Sequence, residues 1–181
     1  IGYNISLDSK FNDMVGFNDS EVDEILNYYK VDVDKQILKE WYNNYIFSPK
    51  LPNAIYNTDM ILYFISNHQR EDGIPTEMID INVRSDYSRL RSIIYTNKKL
   101  NGNFQTLQTL IAGESIPISN LVQDFSALNL HQEDNFKSFM FYLGLVTIKD
   151  RALRLNLKIP NETVKRIDID FLASSLELEK V

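Results

Sequence analysis

The stretch Phe136–Val164, FKSFMFYLGLVTIKDRALRLNLKIPNETV, constrains the chain most, because its hydrophobic period changes twice. Phe136, Phe139, Met140 and Leu143 fall at i, i+3, i+4 and i+7, one face of a helix. Gly144 supplies the left-handed residue that ends such a helix. From Leu153 to Ile159 apolar residues alternate with Ala152, Arg154, Asn156 and Lys158, which predicts a half-buried strand. Pro160 stops that strand, and Asn161 is placed to cap a helix whose stripe runs through Val164, Ile167 and Phe171. Helix, hairpin, helix is the outline of a winged-helix-like unit.

Upstream, the period is helical. Residues 1–17 are polar and short-patterned, with Ile1–Leu7 an edge strand or an extended lead-in. Asn18 is a predicted N-cap, with Glu21 placed for a capping box and Phe17 and Val22 spaced as a hydrophobic staple. Val22, Ile25, Leu26 and Tyr29 form the buried stripe of that helix. A second helix is predicted over Val33–Tyr45, burying Ile37, Leu38, Trp41 and Tyr45, and a third over Thr58–Asn67, capped by Asn57. Between them Pro49 and Pro52 demand a loop. A fourth helix is expected at Asp86–Thr96, with Tyr87, Leu90 and Ile94 inward and Arg89 and Arg91 outward, and a fifth at Phe104–Ile111, closed by Gly113. Ile116–Ile118 reads as a strand and Asn120–Phe125 as a helical turn. The expected fold is mainly α with a small β component. A composition shift at Lys99–Gly102 divides a helical layer, 18–100, from the winged-helix-like part, 101–181.

With 181 residues, 44% of them apolar, the chain has enough material for one domain or two small ones. It has no cysteine, which removes disulfides, thiolate metal sites and a thiol nucleophile together and fits a reducing compartment, hence an expected cytoplasmic location. The longest apolar run, Met60–Ile65, is too short for a membrane span, and the first residues lack the pattern of a signal peptide. No membrane partner is expected. A first residue of Ile1 predicts a piece of a longer protein.

The net charge of −6 is unevenly placed. Residues 1–60 carry −5, whereas residues 82–99, with Arg84, Arg89 and Arg91, and residues 145–166, with Lys149, Arg151 and Arg154, each carry +4. Overall acidity disfavours a dedicated nucleic-acid binder, while the two basic patches are candidate phosphate contacts or ordinary solvated faces.

Catalytic constellations are missing from the sequence. No glycine belongs to a phosphate-cradling loop ending in Lys-Ser/Thr, and no Gly-x-Ser-x-Gly elbow occurs. His68 and His131 have no ligand-spaced partner and read as surface residues. Asp168 and Asp170, two apart on a helix, point away from each other. Asp8-Ser9-Lys10 matches half of a nuclease motif, but no acid precedes it. The aromatic run Trp41-Tyr42-x-x-Tyr45 suits either base stacking or, at helical spacing, a core; Tyr56 and Tyr87 pose the same choice. No catalytic, cofactor-binding or metal residue is assigned.

Six stretches in order resemble a family of bacterial AAA-ATPase-like proteins: Phe11–Val22, Leu38–Phe47, Ile55–Asn57, Asp80–Leu90, Phe139–Ile148 and Leu157–Val164. The most specific are Gly16-Phe17-x-x-x-Glu21-Val22 and Leu157-x-Ile159-Pro160-Asn161-x-x-Val164. The family usually has Asp-Gly where this chain has Asn43-Asn44, Gly where it has Ser48, and Pro where it has Thr58. The resemblance implies a P-loop ATPase core before this segment and a PD-(D/E)XK-type nuclease after it, with neither catalytic motif inside. Residues 1–17 are then a lead-in from a preceding domain, 18–100 a helical lid-like subdomain, and 101–181 the winged-helix-like one. ATP and Mg are expected only in the missing core. The implied partners are the chain's own ATPase core and nuclease domain, with DNA or RNA as the alternative.

Overall fold

A computed structural model describes residues 7–50, 53–94, 103–123, 129–151 and 153–178; beyond Tyr87 in α4, beyond Ala173 in α7 and at Arg151, backbone alone is described. The described chain is mainly helical, with one small antiparallel sheet. It divides into two compact units, Ile1–Asp80 with Asn161–Thr163, and Ile81–Pro160 with Val164–Val181. The boundary expected at Lys99–Gly102 and most of the lead-in strand lie outside the described residues.

In the first unit, helix α1 (Asp19–Tyr29) starts at the expected capping box, with the Asn18 side chain accepting from the Ser20 and Glu21 amides and Glu21 reaching back. It ends at Lys30, which is left-handed at φ 54°. Helix α2 (Lys35–Tyr42) is shorter than predicted. Asn43 is extended and Asn44 has φ 74°, so the chain leaves the helix before Tyr45, which instead pairs with Ile55 in an antiparallel bridge. Tyr42 takes the fully buried place, and Ile37 and Trp41 are only half-buried. Helix α3 (Thr58–Glu71) begins at its predicted cap, Asn57, and runs a turn further than expected. Met60, Ile61, Phe64 and Ile65 are buried, while Leu62 is 42% exposed, so this helix is not buried on every side.

The segments between these helices are fastened to one another. Phe17 and Tyr56 exchange backbone hydrogen bonds at 3.1 and 2.8 Å, and Tyr45 and Ile55 do so at 3.3 and 3.0 Å. A Cβ on Gly16 would lie 2.5 Å from the Tyr56 carbonyl oxygen, so only glycine allows this approach. Buried Asn12 accepts from the Phe47 and Ser48 amides and donates to the Asn53 carbonyl and Asp13 carboxylate. Asn161 donates to the Asn43 carbonyl at 2.8 Å, and Thr163 to the Trp41 carbonyl at 2.7 Å.

The second unit opens with α4 (Ile81–Ile94), five residues earlier than expected. Then come α5 (Phe104–Ile111), β1 (Ile116–Ile118), α6 (Glu133–Tyr142), β2 (Thr147–Arg151), β3 (Leu155–Lys158) and α7 (Glu162–Leu178). Residues 120–123 carry no helix, and the rest of the expected helical turn lies outside the described residues. Strand β3 sits between β1 and β2, antiparallel to both, which is the strand arrangement of a winged helix with β2–β3 as the wing. The register shifts between Ile148 and Asp150, leaving Lys149 as the extra residue of a bulge. Gly144, at φ 73°, turns the chain out of α6. The predicted strand is trimmed at its start: Leu153 lies in the turn, wholly exposed, and pairing begins at Leu155. Phe136, Met140, Phe141, Leu157, Val164, Ile167 and Phe171 contribute to the core.

Candidate interaction surface of the second unit

Helix α6 leads directly into the β2–β3 hairpin, where predicted basic contacts fall. Helix α6 has a single cation, Lys137, and it is turned inward: the side chain is 5% exposed. Its ammonium donates to the Pro117 carbonyl at 2.6 Å and pairs with Glu133 one turn earlier. The first turn of α6 holds Glu133 and Asp134, carboxylates that suit a helix N-terminus, the first of them paired with Lys137. Ser138 is likewise internal, accepting from the Val122 amide and donating to the Asp134 carbonyl. What α6 offers outward is Tyr142, 37% exposed.

The wing gathers three of the six predicted basic contacts on one hairpin. Lys149 is exposed at the bulge and its ammonium reaches the Ser115 hydroxyl at 3.3 Å. Arg154 is exposed in the turn beside Leu153. Arg151 ends β2, its side chain outside the described ones. The other three, Arg84, Arg89 and Arg91, belong to α4; Arg84 is exposed, and the side chains of Arg89 and Arg91 lie outside the description.

A polar cleft of about 480 Å³ opens between α5, β1 and the start of α6, lined among others by Asn103, Thr109, Ser115, His131 and the Glu133–Lys137 pair. The pair neutralises its own charge, and Lys137 is occupied by Pro117. His131 is exposed, as expected, whereas His68 is half-buried with its ring 5.7 Å from that of Phe64. Among the described residues no three His, Asp or Glu side chains gather in a way that would hold a metal ion. The aromatic choices resolve toward packing: Tyr42 and Tyr56 are buried, Tyr42 donates to the Met78 carbonyl, and Tyr87 donates to the Leu143 carbonyl. No helix of the described residues is long and apolar enough to cross a membrane.

No family model, curated protein or solved structure matches this chain.

Two buried charged groups of the second unit are barely legible in the sequence. Lys137 looks like an ordinary outward cation between Phe136 and Ser138; its only signal is Glu133 four residues earlier, which says pairing but not burial. Asp168 sits four residues after Val164 and three before Phe171, on the apolar stripe, a spacing that marks it for burial. It is fully buried, and neither carboxyl oxygen has a hydrogen-bond partner.

Proposed function

We propose that this chain is a non-catalytic regulatory and interaction segment of a cytoplasmic AAA-ATPase-like protein, coupling a P-loop ATPase core to a downstream nuclease. The inward turn of Lys137 carries this reading. A phosphate backbone approaching α6 meets Asp134 and the self-neutralised Glu133–Lys137 pair but no outward cation, so this helix favours protein contact over nucleic acid. Exposed Tyr142, Leu153 and Ile169 supply the apolar and aromatic contacts that protein interfaces use. The order of the family-like stretches supplies the place in the longer chain. ATP and Mg belong to the core, and residues 18–100 act as its lid. In the full-length protein, Tyr142→Asp and Leu153→Asp are expected to leave folding intact by circular dichroism while uncoupling DNA cleavage from ATP. If cleavage responds to ATP equally in every variant, the coupling role is wrong. Alone, the chain is expected to show background ATP turnover only.

A second reading, a nucleic-acid-binding module, is favoured by the exposed Lys149 and Arg154 of the wing. It predicts DNA or RNA binding that weakens steeply with salt and is lost in Lys149→Glu/Arg154→Glu. A fluorescence anisotropy titration at low salt without any binding removes it.

A further inference from the structure

We infer that Asp168 is a proton-held latch: an acid packed in its neutral form against the apolar face of α7, whose ionisation loosens the second unit. Its exposure is 0%, and both carboxyl oxygens lack a hydrogen-bond partner. Its neighbours on the stripe, Val164, Ile167 and Phe171, are all buried, whereas Asp170, two residues on, is exposed. A carboxylate in that position keeps neither water nor a counter-charge, so the group sheds its charge by holding a proton.

The ionisable groups of each described element of the second unit leave Asp168 unpartnered. Helix α5 has none. On α6, Lys137 is held by Glu133 and Pro117, and Asp134 lies in the outer first turn with His131 just before the helix. On the wing, Lys149 reaches Ser115 and Asp150 accepts from Asn156, with Arg154 and Lys158 further along. On α4 are Arg84, Asp86 and Tyr87, the last donating to Leu143. On α7 itself stand Glu162, Lys165, Arg166 and Asp170. None of these donates a hydrogen bond to either oxygen.

Burial pushes the Asp168 carboxyl well above the usual carboxylate range. Between the ordinary aspartate value and that raised one, the folded chain binds one more proton than the unfolded chain. Stability is therefore full at low pH and falls as pH rises, about tenfold in the folding equilibrium per pH unit for this group. The latch holds best in acid and is weakened as pH rises.

Urea unfolding of the whole chain, followed by circular dichroism from pH 4 to 8, tests this with Asp168→Asn and Asp168→Leu. The ratio of each variant's folding constant to the parent's is expected to grow by about tenfold per pH unit above the ordinary aspartate value and to level off where Asp168 itself ionises. A ratio constant across pH overturns the inference. Should either variant fail to fold, a carbon-13 NMR titration of the unaltered chain decides. An Asp168 carboxyl that stays protonated beyond the ordinary range supports the latch, and one that titrates with the exposed aspartates overturns it.

Discussion

Protonating Asp19 breaks bonds that its carboxylate holds together. Its Oδ1 accepts from the Tyr56 hydroxyl at 2.8 Å and lies 3.4 Å from the Lys35 ammonium, while Oδ2 lies 3.6 Å from Lys39. Partial burial opposes the charge, but the Tyr56 bond and the two lysines outweigh it and hold the carboxyl below its ordinary value. A depressed acid contributes stability above its unfolded value and loses it as pH falls, the reverse of Asp168. Asp19→Asn should therefore cost stability at pH 7 and little near pH 3, read from urea midpoints at the two pH values. Tyr56→Phe, which removes the buried donor, should cost about 1–2 kcal/mol at neutral pH by the same measurement. Gly16→Ala forces the Phe17–Tyr56 pairing apart and should cost about 1–3 kcal/mol, seen as a lower Tm. Legibility at this scale follows the range of the bonds. The Asn18 box was readable because its partners are two and three residues away. The Asn12 pin was not, because Phe47, Ser48 and Asn53 lie 35 to 41 positions off and nothing local marks Asn12 as their shared anchor.

Among the elements, those with a complete local code came out as read. Helix α5 and strand β1 match their predicted spans, and α6 ends before Gly144 as its left-handed turn requires. Helix α2 did not, because Trp41, Tyr42 and Tyr45 look helical in spacing while Asn43 and Asn44 leave the helix to let Tyr45 pair with Ile55. Tertiary pairing overrode periodicity there. Helix α6 is anchored to β1 through the Lys137–Pro117 bond, a contact between elements that sequence spacing does not announce. Lys137→Met should leave the Pro117 carbonyl without a donor and cost about 1–3 kcal/mol, even though Glu133 stays solvated. Thermal unfolding of Lys137→Met against Glu133→Gln separates the two: only the first should lower Tm markedly.

For the whole molecule, the telling fact is that the first unit is completed by residues far along the chain. Asn161 and Thr163 donate to Asn43 and Trp41 across 118 and 122 positions. A fragment ending at Asp80 lacks those donors and should be less stable than the same residues in the full chain. Asn161→Ala with Thr163→Val should reproduce much of that loss, about 1–3 kcal/mol in urea unfolding. The three-stranded sheet also decides how a visitor is received. Strand β1 has Pro117 at its centre, a residue with no amide proton to offer, and β2 is thrown out of step by its bulge at Lys149. A foreign extended segment thus finds no regular ladder to extend at either border. Whatever docks on this unit must recognise side chains, which leaves its specificity open to change by single substitutions on the wing and α6.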